Sequence, residues 1–383
     1  MELSCSRCDK SFSTHQIQTY CSDCNAPLLA KYDLESLRKI IDREKINHRP
    51  KGMWRWSELL PVFDDDNIVS LGEGDTPLLQ LRHIGRDLGL SKLYLKEEGQ
   101  NPTGSFKARG LSAAVSKAKE LGVEKIVIPS AGNAGGALAA YSARAGIKSL
   151  IFMPKSSPPA NITESMITGA SVELVEGSIN DAGKYALEAS KTHGWFNMST
   201  FKEPYRVEGK KILGYEIAES LAWKLPDVIL YPTGGGTGLV GMWKAFLELD
   251  ALGWLDSEIK PKMIAVQADG CAPVVKAFRD GKPFCDFWGN AHTIATGLCV
   301  PLSFADQLIL KYIRASHGTA ISVSDDEIKE ARRQLAQKEG IYSCPEGAAT
   351  LAGLSKLSKQ GMFQREDTII LFNTGSGLKY ISA

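Results

Sequence analysis

Apolar and polar positions along the chain follow two periods, and the period changes repeatedly from that of a strand to that of a helix. Short apolar runs predict buried strands, as in KLYLKEEG, KIVIPSAG, KSLIFMP, DVILYPTGGG and DTIILFNTGSG. Longer segments between them carry helical periodicity and end at glycine, as in FKARGLSAAVSKAKELG and INDAGKYALEASKTHG. This alternation predicts an α/β fold with two open parallel-sheet domains whose sheets are covered on both faces.

Polar and glycine-rich loops follow several of the predicted strands. These loops are PSAGNAGG, PTGGGTG and FNTGSG. In open parallel sheets, ligands bind at the carboxyl ends of strands, where loops meet helix N-termini, so we expect the functional residues there. Nearer the N-terminus, KYDLESLRKIIDREK predicts an amphipathic helix, and an irregular segment follows it.

Size and charge narrow the class of protein. The chain has 383 residues, too many for one ordinary core, which indicates two or three structural units. A net charge of +1 disfavours nucleic acid or an anionic membrane as a partner. No apolar run approaches the roughly 20 residues of a membrane span, and the N-terminus lacks the apolar segment of a signal peptide. We therefore expect a cytoplasmic protein that acts on a small molecule.

Four of the eight cysteines, Cys5, Cys8, Cys21 and Cys24, lie in the first 24 residues. They form two C-x2-C pairs separated by twelve residues, a spacing that can close a tetrahedral zinc site. A ribbon without metal and two local disulfides are the alternatives. Four cysteine ligands leave no open position for catalysis, so the expected zinc is structural. The other four cysteines are most simply buried apolar residues of a reducing compartment.

The segment YPTGGGTGLVG leads from an apolar strand into a helix. Successive glycines allow close backbone approach, and a helix N-terminus offers N–H groups and the positive end of a dipole, which together suit a phosphate. The loop lacks the Gly-Lys-Ser/Thr of a Walker A motif and the spacing of a dinucleotide fingerprint. A tight turn without a ligand is the alternative. The loop PSAGNAGG lies at a similar junction between a strand and a helix and carries Ser130 and Asn133. For these two residues, the alternative to ligand binding is helix capping.

Lys107 follows the turn NPTGSF and opens a predicted helix. A lysine whose surroundings deprotonate its amine can form a Schiff base with a carbonyl. Taken singly, a helix lysine is usually solvated. The three glycine loops change this interpretation, because together with the lysine they suit pyridoxal 5'-phosphate (PLP). This cofactor offers an aldehyde to the lysine, a phosphate to one loop and a ring to the other two loops.

The motifs SLGEGDTPLL, NPTGSFKARG, SAGNAGGALAAYSARAG, EPYRVEGKKILGYEIAE, PTGGGTGL and NTGSGLK resemble those of threonine synthases. These are enzymes of PLP fold type II, the group of the tryptophan synthase β-subunit. The resemblance covers nearly the whole chain. It implies a PLP-dependent carbon–oxygen lyase that converts O-phospho-L-homoserine and water to L-threonine and phosphate by γ-elimination and β-addition of water.

The resemblance also implies the cofactor residues. Lys107 would carry PLP and move protons, Asn133 would face its ring, and Thr374 would give the pyridine nitrogen a neutral hydrogen bond, which suits elimination and replacement rather than transamination. Ser130 and its loop would receive the substrate α-carboxylate. The cofactor phosphate would be held by Gly234, Gly235, Gly236, Thr237 and Gly238.

For the substrate phosphate, the resemblance implies Arg206, with Ser199 and Thr200 as hydroxyl partners. A guanidinium can bind a phosphate through two hydrogen bonds, although a salt bridge of Arg206 with Glu203 or Glu208 is the alternative. Two departures bear on the substrate. The segment before Pro204 is one residue longer than the common spacing, and Ser376 replaces the commonest histidine.

These departures keep other activities open. The alternatives are a cysteate-synthase-like enzyme acting on O-phosphoserine, a threonine or serine dehydratase, and a non-catalytic binding protein. The predicted domains are a zinc-ribbon-like segment over residues 1–28, a large PLP-binding domain over 29–103 and 207–383, and a smaller α/β domain over 104–206. The resemblance alone implies a homodimer.

Overall fold

The computed structural model describes residues 1–256 and 260–381. Within them the strands are β1 (Glu2–Cys5), β2 (Ser11–Phe12), β3 (Leu28–Lys31), β4 (Leu78–Gln80), β5 (Lys92–Glu97), β6 (Lys125–Pro129), β7 (Lys148–Pro154), β8 (Ser171–Val175), β9 (Phe196–Asn197), β10 (Val228–Pro232), β11 (Lys262–Ala268), β12 (Thr319–Val323) and β13 (Thr368–Asn373).

The α-helices of the same residues are α1 (Leu34–Leu37), α2 (Arg43–Asn47), α3 (Arg82–Leu88), α4 (Lys107–Glu120), α5 (Asn133–Ala145), α6 (Pro159–Ile167), α7 (Ile179–His193), α8 (Arg206–Ser220), α9 (Thr237–Ala251), α10 (Pro273–Arg279), α11 (Asp306–Ala315), α12 (Asp325–Glu339) and α13 (Pro345–Ser358). None of these helices combines the length and the apolarity that a membrane span requires.

The chain divides into two compact units. The first comprises Met1–Asp75, Asn101–Leu213 and Leu247–Trp254, and the second comprises Thr76–Gln100, Gly214–Phe246 and Leu255–Ala383. The domain boundaries drawn from the sequence stay a prediction.

The first unit contains two sheets. Strands β2, β1 and β3 form an antiparallel sheet in that order, and strands β8, β7, β6 and β9 form a parallel sheet. Leu3 and Leu28 of the small sheet belong to the same apolar cluster as Leu111 and Val115 of α4. The cysteine-bearing sheet is therefore part of the core of this unit.

The second unit is built on a six-stranded sheet in the order β12, β11, β10, β13, β5 and β4. All neighbours are parallel except the edge pair β4 and β5. Strands β10 and β13 are neighbours, so the loops that follow them begin at the same edge of the sheet. The prediction of α/β domains with parallel sheets is confirmed, with β4 as an antiparallel addition.

One predicted helix is wrong. The segment KYDLESLRKIIDREK forms two short helices, α1 and α2, instead of one amphipathic helix. The carboxylate of Asp33 accepts a hydrogen bond from the backbone N–H of Ser36, and that of Asp42 accepts one from Glu44. Each aspartate thus caps a helix start, and the second cap interrupts the periodic pattern.

Candidate active site

The predicted site residues lie in both units. Lys107, Ser130, Asn133, Ser199, Thr200 and Arg206 belong to the first unit, while the glycine loop and Thr374 belong to the second.

Lys107 is the first residue of α4. The turn before it is closed by the backbone N–H of Gly104, which donates to the carbonyl of Asn101 at 2.7 Å, with Gly104 at a positive φ of 61°. The side-chain oxygen of Asn101 accepts from the N–H of Gly74 at 3.3 Å. The half-buried Lys107 amine lies 4.1 Å from the centroid of the Phe106 ring. The elaborate turn thus fixes where the helix begins and where its first lysine lies.

A second amine lies against the same ring. The Nζ atom of Lys210, on α8, is 3.7 Å from the centroid of Phe106, and the Lys210 side chain has no exposed surface. Its stem passes Gly110 of α4, where an added Cβ would lie 2.8 Å from Lys210 Cε. The sequence interpretation missed Lys210, because the lysine pair in RVEGKKIL shows no signal beyond its place in a helix.

Arg206 begins α8 and is 1% exposed. Its Nη1 donates to the carbonyl oxygen of Met198 at 2.8 Å and to the hydroxyl of Thr200 at 3.4 Å, whereas its Nε has no hydrogen-bond partner among the described residues. Ser199 instead donates, through its N–H and hydroxyl, to the side-chain oxygen of Asn197. Of the two predicted hydroxyl partners, Thr200 contacts Arg206 and Ser199 bonds elsewhere.

The buried carboxyl of Glu203 caps the start of α8. It accepts hydrogen bonds from the backbone N–H of Tyr205 at 2.7 Å and of Arg206 at 3.1 Å. Burial raises the pKa of Glu203 to about 7, against the opposing effects of Arg206, these N–H groups and Lys210. Burial in turn lowers the pKa of Arg206, and Glu203 counters that effect. Glu208, the other predicted partner of Arg206, pairs with Lys211 at 2.9 Å.

The loop of Ser130 and Asn133 leads into α5, which begins at Asn133. The Ser130 hydroxyl accepts from the N–H groups of Gly132 and Gly135 and donates to the carbonyl of Gly132. Gly132 occupies the N-cap position of α5, but the Ser130 hydroxyl satisfies the Gly135 N–H in the first turn as a capping side chain would, the alternative raised from the sequence. Nearby, the buried amide of Asn161 lies 3.3 Å from the position of a Cβ on Gly132, and neither its Oδ1 nor its Nδ2 has a hydrogen-bond partner among the described residues.

The glycine loop of the second unit connects β10 to α9. A Cβ on Gly234 would lie 2.3 Å from the carbonyl oxygen of Gly297, and Gly236 has a positive φ of 80° with Ile309 against it. Thr237 is buried and is the first residue of the 15-residue helix α9. Backbone N–H groups at the start of such a helix can bind an anion, as the sequence predicts.

Thr374 follows β13 directly. Its hydroxyl lies 3.6 Å from the thiol of Cys344, which is completely buried at the start of α13 and accepts from the N–H of Gly347. Burial raises the pKa of the Cys344 thiol far above its usual range, so both side chains are neutral hydrogen-bonding groups. The amide of Asn373, the last residue of β13, donates to the carboxylate of Glu97 on the neighbouring strand β5 at 2.8 Å. The sequence interpretation missed Cys344 because it is distant in sequence and follows no motif.

The four N-terminal cysteines form one cluster. Their sulfur atoms lie within 4.8 Å of one another, with Cys5 and Cys24 at 3.3 Å and Cys8 and Cys21 at 3.7 Å. The two C-x2-C pairs have the same turn: Asp9 and Asn25 have positive φ, and their N–H groups donate to the carbonyls of Cys5 and Cys21. Four sulfurs around zinc at about 2.3 Å require comparable separations, so this donor set fits the metal.

The family model for pyridoxal-phosphate dependent enzymes matches residues 69–375. A threonine synthase of Methanocaldococcus jannaschii is 38% identical over 376 residues, covering 98% of this chain and 92% of that protein. A threonine synthase of a Bacillus species is 35% identical over 331 residues, covering 86% of this chain and 90% of that protein.

Solved structures share the fold at lower identity. Maize serine racemase has a TM-score of 0.67 and 22% identity, with 79% of this chain and 88% of that chain covered. The processed form of threonine deaminase isoform 2 from Solanum lycopersicum has a TM-score of 0.68 and 22% identity, with 86% and 92% covered. Together with the parallel sheets, these similarities identify the α/β architecture as fold type II.

Proposed function

The chain belongs to the pyridoxal-phosphate dependent enzymes, and on that basis we propose that it is a threonine synthase, converting O-phospho-L-homoserine and water to L-threonine and phosphate. The observation that carries this proposal is the similarity to threonine synthases of other organisms along almost the full length of the chain. A buried arginine suited to a phosphate-bearing substrate supports it.

The residues of each unit fit PLP. In the second unit, the start of α9 suits the cofactor phosphate, and the crowded position of Gly234 explains why that loop carries no side chain there. In the first unit, we assign Lys107 as the covalent attachment and Asn133 to the ring. When bound, the cofactor withdraws electrons from a substrate carbon that has lost a proton.

Thr374 sets the electronic character of that chemistry. We assign its hydroxyl to the pyridine nitrogen of the cofactor. The thiol beside it is neutral, because burial raises its pKa, so neither group supplies the negative charge that would protonate the nitrogen. This neutral pair favours elimination and replacement over transamination.

Arg206 is the residue that we assign to the substrate phosphate. Its guanidinium is buried, and a charge–charge contact is stronger in such surroundings than in water. Its Nε and the Thr200 hydroxyl are the groups that can bind the leaving phosphate. We assign proton transfer at Cα and Cβ of the substrate to the Lys107 amine. Water then adds at Cβ.

Turnover tests the proposal directly. Purified protein supplied with PLP and O-phospho-L-homoserine should release L-threonine and phosphate in equal amounts. Arg206→Ala should lower kcat/KM by about a hundredfold, since a buried charged partner of the substrate is lost. Arg144→Ala, which removes an exposed arginine, is the control and should retain full turnover. Absence of threonine at every substrate concentration contradicts the proposal.

A second candidate is another PLP-dependent replacement or elimination, either cysteate-synthase-like on O-phosphoserine or a threonine or serine dehydration. Glu203 favours the dehydration in particular, because its carboxyl faces Arg206 and, once ionised, competes with a substrate phosphate for that guanidinium. O-phosphoserine with sulfite, L-threonine and L-serine are the substrates to compare. A dehydratase needs no phosphate site and should keep its activity in Arg206→Ala.

We also propose that the four-cysteine cluster holds a structural zinc ion. The sulfur separations and the two matching turns support this assignment. All four ligand positions would be filled by protein, so the ion would stabilise the core of the first unit and take no part in the reaction.

A further inference from the structure

Two glycines allow α4 and α8 to cross in close contact. A Cβ on Gly209 of α8 would lie 2.0 Å from the carbonyl oxygen of Arg109, and a Cβ on Gly110 of α4 would lie 2.8 Å from the carbonyl oxygen of Arg206. Glycine at both positions lets the two backbones approach each other. Side chains of α8 next to the crossing therefore reach the first turn of α4, which begins with Lys107.

Lys210 is the α8 side chain that makes this approach. Its Cε lies against Gly110, and its ammonium lies over the Phe106 ring at 3.7 Å, with the Lys107 nitrogen at 4.1 Å from the same ring centroid. Both distances are measured to the centroid of the Phe106 ring. The separation between the two lysine nitrogens therefore cannot exceed the sum of these two distances. That separation is within the range over which charges interact in a partly buried environment.

The surroundings of Lys210 favour its charged form. The face of an aromatic ring attracts an ammonium ion, and the buried carboxyl of Glu203 interacts with Lys210 electrostatically. Other charged groups of this unit are also near the helix crossing. Arg206 lies one turn before Lys210, Arg109 interacts with Tyr141, and Lys211 pairs with Glu208 and Glu248.

We propose that Lys210 is a positioning residue whose buried positive charge favours the neutral, nucleophilic form of the Lys107 amine. The inference rests on the proposed function only in assigning Lys107 to the cofactor. A neutral amine adds to the aldehyde carbon of PLP, a carbon–nitrogen bond forms, and the aldehyde oxygen leaves as water with the two amine hydrogens. A protonated amine has no electron pair for this step, so a neighbouring positive charge promotes it.

The experiment measures the protonation of Lys107 without turnover. The full chain, stripped of cofactor, is acetylated with trace acetic anhydride between pH 6 and 11, and the Lys107 peptide is quantified by mass spectrometry. Exposed Lys119, on the same helix, is the internal standard. In Lys210→Met, the pKa of Lys107 should rise by about one pH unit, the size expected for a charge at this separation. Lys210→Arg keeps the charge and should behave as the unchanged protein.

A second readout uses the cofactor. The rate at which PLP attaches to the stripped chain, followed by absorption, should reach its plateau at higher pH in Lys210→Met than in Lys210→Arg. The proposal is overturned if Lys107 has the same pKa in the unchanged protein and Lys210→Met, or if Lys210→Arg matches Lys210→Met while folded by circular dichroism. If Lys210→Met does not fold, Lys210→Gln replaces it.

The result of the Lys107 measurements can be distinguished from the result of the turnover test of the proposed function. These measurements contain no amino-acid substrate, so failure to convert O-phospho-L-homoserine leaves their result intact. Should PLP attach to a lysine other than Lys107, mass spectrometry of the borohydride-reduced protein identifies that residue, and both the site assignment and the role of Lys210 are then rejected.

Discussion

Gly209 lies so close to Arg109 that a Cβ at position 209 would be 2.0 Å from the Arg109 carbonyl oxygen. Real Cβ atoms do not approach a backbone oxygen so closely, so α4 and α8 must separate if a side chain is added. Gly209→Ala should therefore lower the free energy of unfolding by about 1–3 kcal/mol, as overpacking does. Urea denaturation followed by circular dichroism measures the change.

Gly183, in the middle of α7, is the matched control for that substitution. A Cβ there meets no atom within 4 Å. Gly183→Ala should stabilise the protein by about 0.5–1 kcal/mol, because alanine favours the helix. Equal effects of the two substitutions would contradict a close crossing of α4 and α8.

Lys107→Ala should abolish covalent attachment of the cofactor. Borohydride reduction of the protein loaded with PLP fixes the cofactor on the lysine that carries it, and peptide mass spectrometry then locates it. We expect the label on Lys107 in the unchanged protein and in Lys119→Ala, and no stoichiometric label in Lys107→Ala. A labelled Lys107→Ala protein would show that another amine binds the cofactor.

Glu203 should make folding stability depend on pH. Its pKa is about 7 in the folded chain against an ordinary value of 4.5, so the folded state binds the proton more tightly. The stability that this carboxyl contributes is present in full below pH 4.5 and is lost as pH rises through 7. The difference amounts to roughly 3 kcal/mol.

Glu203→Gln removes this titration. The free energy of unfolding of the unchanged protein, measured relative to that of Glu203→Gln, should fall between pH 4.5 and 7 and stay constant above about pH 8. Glu188→Gln, which changes an exposed carboxyl on α7, serves as the control and should follow the unchanged protein. Parallel stability curves for the unchanged protein and Glu203→Gln would show that the Glu203 carboxyl is not held in its protonated form.

Cys8→Ser should reduce the zinc content and the melting temperature of the protein while PLP still binds. Loss of one of four thiolate ligands opens the site and weakens metal binding. Elemental analysis after dialysis against a mild chelator measures the metal. Cys285→Ser is the control, because burial raises the pKa of Cys285 to about 12 and its neutral thiol is a poor ligand. Equal zinc in both variants would reject the ribbon site.

The sequence was sufficient for the local features. Strand and helix periods depend on neighbouring residues, so the alternation, the loops after β6, β10 and β13, and the helix that Lys107 begins followed from the pattern of side chains. Cysteine spacing likewise predicted the cluster of four thiols. Recognisable motifs supplied the family, since each motif is a short continuous stretch.

The arrangement of residues far apart in the chain was not accessible in this way. Lys210 reaches the ring beside Lys107 because two glycines let α4 and α8 approach each other, and Cys344 reaches Thr374 because α13 begins beside the end of β13. The ionisation of Glu203 depends on complete burial, which no neighbouring residue in the sequence indicates. Periodicity is a property of adjacent residues, whereas burial and charge contacts arise only when distant segments pack together.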